Sequence, residues 1–277
     1  METVLITGCS SGIGAATARA FLEEGWTVYA TARDPDDLED LAEAGCETAA
    51  LDVTDEEEIA AVVDRMIEET GRIDALVNNA GYARYGPVED ASTEEVHRQF
   101  DVNVYGPHRL TRAVLPHMRD REDGTIVNVS SVAGRFTHPM GGVYCGSKAA
   151  LEAMSDALRV EAGAFGVDVV LVEPGSVASS FYERADEEAT DESDRTAAYD
   201  RLYSAFEDAT LLIGEGPLAI ESEDVARSIV HAASCTDPAP RYPVGALARI
   251  GLFGRFVPDR WLDAAFRLGI KLGSISR

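Results

Sequence analysis

The chain of 277 residues carries 49 acidic against 24 basic side chains, giving a formal net charge of −25 and a pI near 4.4. This length suits one large α/β domain that folds without disulfides. The acidic balance argues against nucleic acid as a partner, because such sites need clustered Lys and Arg. Cys9, Cys46, Cys145 and Cys235 lie far apart and form no metal-binding motif. We expect a cytoplasmic protein with reduced thiols, no metal site and no secretion signal.

Lysine is nearly absent from the chain. Lys148 and Lys271 are the only lysines, and arginine supplies the other 22 basic residues. A dense acidic surface is best tolerated where salt screens its self-repulsion. The composition therefore favours a protein from a high-salt organism, with an ordinary acidic mesophile protein as the alternative.

The first two-thirds of the chain alternates short apolar runs with longer helical patterns, which is typical of βαβ units in a parallel sheet. The predicted strands are Val4–Thr7, Thr27–Thr31, Thr48–Leu51, Ala75–Asn78, Thr125–Val129 and Val167–Val172. The predicted helices include Gly14–Glu24, Asp55–Thr70 with Thr54 as N-cap, Thr93–Arg119 and Tyr144–Phe165. We expect a doubly wound parallel sheet, the Rossmann fold, in one catalytic domain of residues 1–244.

A glycine-rich segment, TGCSSGIG from Thr7 to Gly14, joins the first strand to the first helix. Its glycines permit a tight turn and let the backbone approach a pyrophosphate, and the helix N-terminus offers N–H groups to the phosphates. A glycine triplet alone is often a mere turn. Its place between strand and helix favours a dinucleotide site.

The second strand ends at Ala32, followed by Arg33 and Asp34. An acidic residue at this strand end usually binds the ribose 2′-hydroxyl of NAD, whereas an arginine suits the 2′-phosphate of NADP. We predict NADP(H). NAD(H) stays open because of Asp34, and a solvated Arg33 without a cofactor role is the other alternative.

A tyrosine and a lysine stand at helical i,i+4 spacing in Tyr144-Cys145-Gly146-Ser147-Lys148. Chance would place such a pair in this composition only ~0.07 times. Free tyrosine has a pKa near ~10, and a neighbouring ammonium stabilises its phenolate, so the pair suits acid/base chemistry at a carbonyl or alcohol oxygen. Ser131 follows the strand Thr125–Val129 and could hold the same oxygen.

These motifs together resemble the short-chain dehydrogenase/reductase family in order and spacing. The resemblance covers roughly Thr3 to Tyr182, includes Asn78-Asn79-Ala80-Gly81 and Pro174-Gly175, and points to members like hydroxysteroid and retinol dehydrogenases. It implies Asn103 as a fourth catalytic residue that supports a water relay beside Ser131, Tyr144 and Lys148. The implied cofactor-binding residues are Gly8, Ser10, Ser11, Gly12, Ile13, Gly14, Arg33, Asp52, Val53, Asn79, Ala80, Gly81, Tyr144, Lys148, Pro174, Gly175, Val177 and Ser179.

The resemblance implies a hydrophobic alcohol, ketone or aldehyde as substrate, with Ser10 and Arg33 at the 2′-phosphate. The family often has threonine where Ser179 stands, and serine keeps the hydroxyl. Candidate pocket residues, chosen because they flank the motifs, are Tyr82, Tyr85, Phe136, Met140 and Tyr182. Each could equally be core or lid packing.

The pattern breaks after the sixth predicted strand. Seven acids lie between Glu183 and Asp194, and Tyr199, Leu202, Tyr203 and Phe206 follow at helical spacing. A substrate lid at about residues 179–216 and a plain solvated loop are equal alternatives.

The last 33 residues, 245–277, carry six basic against two acidic side chains and many apolar ones, and Pro258 could start a terminal helix. This amphipathic, basic extension is expected to pack over the pocket or a subunit partner. The alternative hypothesis is peripheral contact with an anionic membrane.

The sequence thus predicts an NADP-dependent oxidoreductase acting on CH–OH or C=O groups. The rival is a catalytically silent NADP(H)-sensing regulatory protein, whose usual signature is loss of the tyrosine or lysine. By the resemblance, the long helices pair between subunits in a homodimer or homotetramer.

Overall fold

The computed structural model describes residues 1–177, 195–206, 219–254 and 256–273. Within them the strands are β1 (Thr3–Thr7), β2 (Thr27–Ala32), β3 (Glu47–Ala50), β4 (Ala75–Asn78), β5 (Gly124–Val129), β6 (Val167–Pro174) and β7 (Arg241–Val244). The α-helices are α1 (Gly12–Glu23), α2 (Glu39–Ala44), α3 (Glu56–Thr70), α4 (Thr93–Phe100), α5 (Gly106–Arg121), α6 (Gly142–Gly163), α7 (Ser222–Ser234), α8 (Ala246–Gly254) and α9 (Asp259–Gly273). Residues 200–206 are also helical.

The seven strands form one parallel sheet in the order β3-β2-β1-β4-β5-β6-β7. The chain winds outward from β1 to β3 and then crosses to β4 on the other side of β1. The strand order therefore reverses between β1 and β4, where the carboxyl ends of parallel strands leave a crevice for a ligand. The predicted doubly wound parallel sheet is confirmed.

Helices cover both faces of the sheet. On one face Ile6 and Val77 pack with Phe21 of α1 and Ile229 of α7 in one apolar cluster. On the other face Leu5 belongs to a cluster that the helices α3 and α5 complete. Each large side chain removed from water in this way contributes ~1.5–3 kcal/mol. The sheet is thus a rigid platform whose carboxyl edge can carry a site.

The start of α3 differs from the prediction by one residue. The Asp55 Oδ1 accepts hydrogen bonds from the backbone N–H groups of Glu57 and Glu58 at 2.8 and 3.1 Å, so Asp55 is the N-cap. Thr54, predicted as the cap, instead donates its hydroxyl to Asp52 Oδ1 at 2.7 Å. An aspartate caps a helix at least as well as a threonine, because its carboxylate accepts hydrogen bonds from the first N–H groups. Its negative charge is also favourable at the helix start.

The predicted helix Thr93–Arg119 is interrupted. A π-helical turn, Asp101–Tyr105, separates α4 from α5, and the Gly106 N–H donates to the Asp101 carbonyl. Such turns occur mostly as single insertions inside α-helices, and frequently at functional sites. The apolar spacing of the sequence continues across the turn and therefore gave no sign of the extra residue.

Strand β7 was not among the predicted strands. It is an edge strand that pairs only with β6 in the sheet, and its sequence Arg241-Tyr242-Pro243-Val244 contains a proline. Proline lacks an N–H and is tolerated in a sheet at such edges. A four-residue segment that contains a proline resembles a turn in the sequence. Only its pairing with β6 identifies it as a strand.

The predicted lid lies largely outside the described residues, which omit 178–194 and 207–218 and with them the acidic stretch Glu183–Asp194, Ser179 and Tyr182. Its described part begins with a 3₁₀ turn, Ala197–Tyr199. There Tyr199 and Tyr203 donate their hydroxyls to Glu89 and Asp90 at 2.7 and 2.8 Å. This part therefore docks on the loop that follows β4.

Candidate active site

A cavity of about 1200 Å³ opens at the carboxyl ends of the strands. Most of the predicted site residues line it: Gly8, Ser10, Ser11, Gly12, Ile13, Arg33, Asp52, Val53, Asn79, Ala80, Gly81, Ser131, Tyr144, Lys148, Pro174, Gly175 and Val177. Two predicted residues do not line it. Gly14 and Asn103 lie behind its wall, and Ser179 is outside the described residues.

The turn after β1 has a backbone that needs its glycines. Gly8 and Gly12 adopt φ angles of +73° and +56°, which L side chains rarely take. A Cβ on Gly8 would stand 2.8 Å from Ala80 Cα, and one on Gly14 would stand 2.1 Å from the Gly8 carbonyl oxygen. Gly14 therefore serves the close packing of turn and helix, and does not itself touch the cavity.

Asn79 holds the same turn from the neighbouring strand. Its side-chain amide donates to the carbonyl oxygens of Thr7 and Gly8 at 2.9 and 3.0 Å. The Thr7 hydroxyl in turn accepts from the backbone N–H groups of Asn79 and Ala80, both at 3.1 Å. The turn is thus fixed across the switch point between β1 and β4.

The N-terminus of α1 carries no carboxylate. Ser11 stands at its N-cap but makes no side-chain capping bond, and the first turn holds no acidic residue. By contrast, α3 starts with Glu56, Glu57 and Glu58. A helix start with exposed N–H groups and no carboxylate attracts a phosphate. These residues fit the pyrophosphate of a dinucleotide.

Arg33 is exposed on the cavity wall and has no ion-pair partner among the described residues. The neighbouring Asp34 uses its carboxylate Oδ1 to accept the Asp36 N–H at 3.0 Å and so caps a 3₁₀ turn. Asp52, also on the wall, accepts two bonds from Thr54 with Oδ1. This end of the cavity therefore presents one uncommitted arginine.

Lys148 is buried beside the cavity. Its Nζ donates to the Val129 carbonyl at 2.9 Å and lies 6.0 Å from the centre of the Tyr144 ring. Burial lowers the pKa of Lys148 to about 8, and the charge of Glu152 one turn further along α6 partly opposes this change. The lysine therefore keeps its charge below about pH 8 and loses it above.

Ser131 begins the 3₁₀ turn after β5 and accepts the Ala133 N–H at 3.1 Å. Its own O–H proton can therefore be donated to a ligand in the cavity. The Tyr144 ring stands edge-on to Tyr85 at 6.1 Å between centres, with both rings on the cavity wall. Ser131, Tyr144 and Lys148 thus all lie on the wall of the same cavity.

Asn103 occupies the π-helical turn and is buried. Its Oδ1 accepts the Tyr82 N–H at 3.1 Å, and its Nδ2 donates to the Tyr82 carbonyl and to Ser147 Oγ at 2.9 and 3.1 Å. Ser147 then donates to the Tyr144 carbonyl at 2.7 Å. Asn103 therefore connects the loop after β4 to the helix that carries Tyr144.

Asn103 and Lys148 also approach each other. A Cβ on Gly81 would stand 3.0 Å from Asn103 Oδ1 and 3.6 Å from Lys148 Nζ. A side chain at Gly81 would fill the space between them. The glycine thus keeps room for a small polar group, such as a water molecule, beside the lysine.

Sequence reasoning missed several wall residues. The buried Ser130 hydroxyl has no hydrogen-bond partner among the described residues and lines the cavity beside Ser131. Arg98 and His138 also line it. The position of Ser130 next to Ser131 at a strand end could have identified Ser130. Arg98 and His138 belong to no recognisable motif.

The walls away from the glycine turn are apolar. Of the predicted pocket residues, Tyr82, Tyr85, Phe136 and Met140 line the cavity. They are joined by residues from the lid segment and the C-terminal helices, namely Leu202, Ala205, Phe206, Leu247, Gly251, Val257, Ala265, Phe266, Gly269 and Ile270. Residues of the C-terminal extension therefore form part of the cavity wall.

Residues 2–190 match the model of a protein family described as short chain dehydrogenase. Among curated proteins, the chain is 35% identical to the uncharacterized oxidoreductase YbbO of Escherichia coli K12, over 95% of this chain and 93% of that protein. It is 32% identical to a 3-ketodihydrosphingosine reductase of Bacteroides thetaiotaomicron, over 96% and 97% of the two chains.

Solved structures give the same result. A short-chain dehydrogenase of Streptomyces avermitilis superposes with a TM-score of 0.80 at 32% identity, over 100% of this chain and 98% of that one. A metagenomic short-chain oxidoreductase in complex with NADP gives 0.69 at 29% identity, over 88% and 96%. A Burkholderia phymatum member in complex with NAD gives 0.74 at 26%, over 87% and 88%. The chain belongs to the short-chain dehydrogenase/reductase family and is an oxidoreductase of that type.

Proposed function

We propose that the protein transfers a hydride between NADP(H) and a hydrophobic carbonyl or alcohol, with Tyr144 as the acid/base. The observation that carries this proposal is that Ser131, Tyr144 and Lys148 line the same cavity as Arg33, the glycine turn and many apolar side chains. One cavity thus offers a nucleotide site and a proton donor.

Each of the polar residues has a distinct task. When bound, the nicotinamide supplies or accepts the hydride. Ser131 donates its O–H to the substrate oxygen and orients it. Tyr144 gives a proton to that oxygen in reduction and removes one in oxidation.

Lys148, held by the Val129 carbonyl, stabilises the phenolate of Tyr144 by its charge. Asn103 fixes the helix that carries both residues and borders the space beside Lys148, where a proton can be resupplied.

Arg33 favours NADP(H) over NAD(H). Its guanidinium can form charge-assisted bonds to a 2′-phosphate, and the carboxylate of Asp34 is already engaged by the turn that it caps. Ser10 lines the same end of the cavity and would add a hydroxyl contact. The relative solved with NADP is consistent with this choice, and the one solved with NAD keeps the alternative testable.

A reducing compartment and a homo-oligomer complete the proposal. All four cysteines are free thiols, which supports a location in the cytoplasm. Tyr105, Met154, Val160 and Phe165 are exposed apolar residues at α5 and α6. They support pairing of these helices between subunits of a dimer or tetramer.

The test is oxidation of NADPH and of NADH with a panel of hydrophobic ketones and aldehydes. We expect turnover with NADPH, and a loss of kcat of about 10³-fold or more in Tyr144→Phe with the NADPH dissociation constant changed less than about threefold. Tight NADPH binding without turnover of any carbonyl would favour the sensor instead.

A further inference from the structure

Helix α9 has an inner face that belongs to the cavity. Ala265, Phe266, Gly269 and Ile270 line the cavity, and the Phe266 ring centre lies 5.8 Å from that of Phe136. Phe266 and Ile270 are only half-buried. A Cβ on Gly269 would meet no atom within 4 Å. The wall that α9 forms is therefore loosely packed and leaves room beside the helix.

The outer face of α9 exposes large apolar side chains. Trp261 and Leu268 are 73% and 57% exposed, and their spacing of seven residues places them on one side of the helix. The loop before α9 adds Phe256 and Val257, at 76% and 36%. Val257 also lines the cavity, so this apolar surface reaches the cavity rim. We call these four residues the outer apolar surface.

Basic side chains outnumber acidic ones near the outer apolar surface. Arg260, Arg267 and Lys271 are exposed on the same helix as Asp259 and Asp263, and Arg267 pairs with Asp263 at 3.8 Å. Residues 245–277 carry a net charge of +4. The rest of the chain carries a net charge of −29, so the whole chain has −25. An apolar stripe with flanking arginines and an aromatic residue is typical of helices that lie in the interface of an anionic bilayer. Charge thus favours the C-terminal segment of this acidic chain as the part that meets an anionic surface.

We propose that the outer apolar surface rests on an anionic phospholipid bilayer and that a long-chain carbonyl substrate enters the cavity from that bilayer along α9. This entry route rests on the function proposed above. No helix in the described part of the chain is long and apolar enough to cross a membrane. The loose inner wall and the apolar rim at Val257 form one continuous path for an alkyl chain.

The salt concentration determines whether electrostatic attraction or apolar insertion provides most of the binding to the bilayer. In molar salt the Debye length is ~3 Å, so attraction between the arginines and lipid phosphates is short-ranged, and so is repulsion of the acidic body. Insertion of Trp261, Leu268 and Phe256 into the interface then provides most of the binding. We therefore expect binding to persist in about 2 M KCl.

Trp261 gives a direct readout of the contact. The other tryptophan, Trp26, is only 6% exposed and packs on Phe21 in the core. Vesicles of phosphatidylglycerol and phosphatidylcholine with brominated acyl chains should quench the Trp261 emission and float the protein. In Trp261→Phe the remaining emission should be unquenched while flotation is kept. In W261D/L268D flotation should fall about tenfold or more. Wild-type protein that neither floats nor is quenched would overturn the proposal.

A second copy of the chain is the competing occupant of this surface. Sedimentation in the absence of lipid separates the two cases. If W261D/L268D lowers the oligomeric mass, the surface joins subunits, and the bilayer proposal is overturned. An unchanged mass together with lost flotation supports it.

Activity tests the entry route. W261D/L268D should reduce a long-chain ketone in vesicles at least about tenfold more slowly, yet keep kcat/KM for a water-soluble short ketone within about twofold. The conservative W261F/L268M should match wild type on both substrates. Equal activity of W261D/L268D and wild type on the vesicle-borne ketone would overturn the entry route. Turnover of neither ketone by wild type, with Trp261 still quenched, would reject the proposed function and the route but not the bilayer contact.

Discussion

In the proposed function, single side chains at the two ends of the cavity carry the cofactor selectivity and the acid/base chemistry. Arg33 lies at the end that would hold the adenosine phosphate, and Lys148 lies at the end where Tyr144 stands. Neither can be exchanged for its closest chemical relative without a consequence. Arginine offers a planar fork of donors, whereas a buried lysine changes its charge within a few units of neutral pH.

Arg33→Ala should raise the KM for NADPH by about 10- to 100-fold, because a lost pair of charge-assisted bonds costs ~1.5–3 kcal/mol. The KM for NADH should change little, since NADH lacks the 2′-phosphate. Steady-state kinetics with both cofactors measures the effect. Arg19→Ala, an exposed arginine of α1 away from the cavity, is the matched control. A similar loss with both cofactors would argue against a 2′-phosphate contact.

The charge of Lys148 should set the alkaline limb of ketone reduction. Because burial lowers the pKa of Lys148 to about 8, the ammonium is present below that pH and is lost above it. Glu152→Gln removes the negative charge that raises this pKa, so the limb should move to lower pH, by up to about one unit. The measurement is kcat/KM against pH.

Asp156→Asn is the control for that shift. Asp156 also pairs with Arg241, as Glu152 does, but it is not one of the groups that shift the pKa of Lys148. Its pH profile should match that of wild type. An unmoved limb in Glu152→Gln would mean that another group limits the reaction at high pH.

At the scale of elements, two interruptions of regular structure build the site. The glycine turn leaves the start of α1 without a carboxylate, and the π-helical turn between α4 and α5 brings Asn103 behind Gly81. Both are backbone features held by contacts to neighbouring strands and loops.

Gly14→Ala should weaken NADPH binding about tenfold or more. The new Cβ would stand 2.1 Å from the Gly8 carbonyl oxygen, so the turn must shift, at a cost of ~1–3 kcal/mol. Fluorescence titration of NADPH measures the loss. Gly163→Ala near the end of α6 is the control, since its Cβ would meet no atom within 4 Å. It should bind NADPH normally and melt at the same or a higher temperature. Normal NADPH binding by Gly14→Ala would refute the tight packing of turn and helix.

For the whole molecule, charge is the dominant property. With a net −25, carboxylates repel one another across the exposed surface, and salt reduces that cost. We expect the melting temperature to rise by roughly 5 °C or more between about 0.1 and 2 M KCl. Sorbitol, which stabilises without screening charge, should have a smaller effect. Greater stability in dilute buffer than in molar KCl would contradict adaptation to high salt.

The sequence by itself determined the doubly wound sheet, the glycine turn and the Tyr144–Lys148 spacing. These are encoded locally: apolar periodicity fixes strands and helices, glycine permits positive φ, and i,i+4 spacing puts two side chains on one helix face. The residues of the turn and the pair then meet at one edge because parallel strands all end there.

Only the tertiary structure decided which side chains meet across distant segments. The bonds of Asn103 to Tyr82 and Ser147 depend on an inserted helical residue that no pattern marked. The division of α9 into a cavity face and an exposed face depends on where the C-terminal segment packs. Such contacts arise from long-range packing, which periodicity along the chain does not encode.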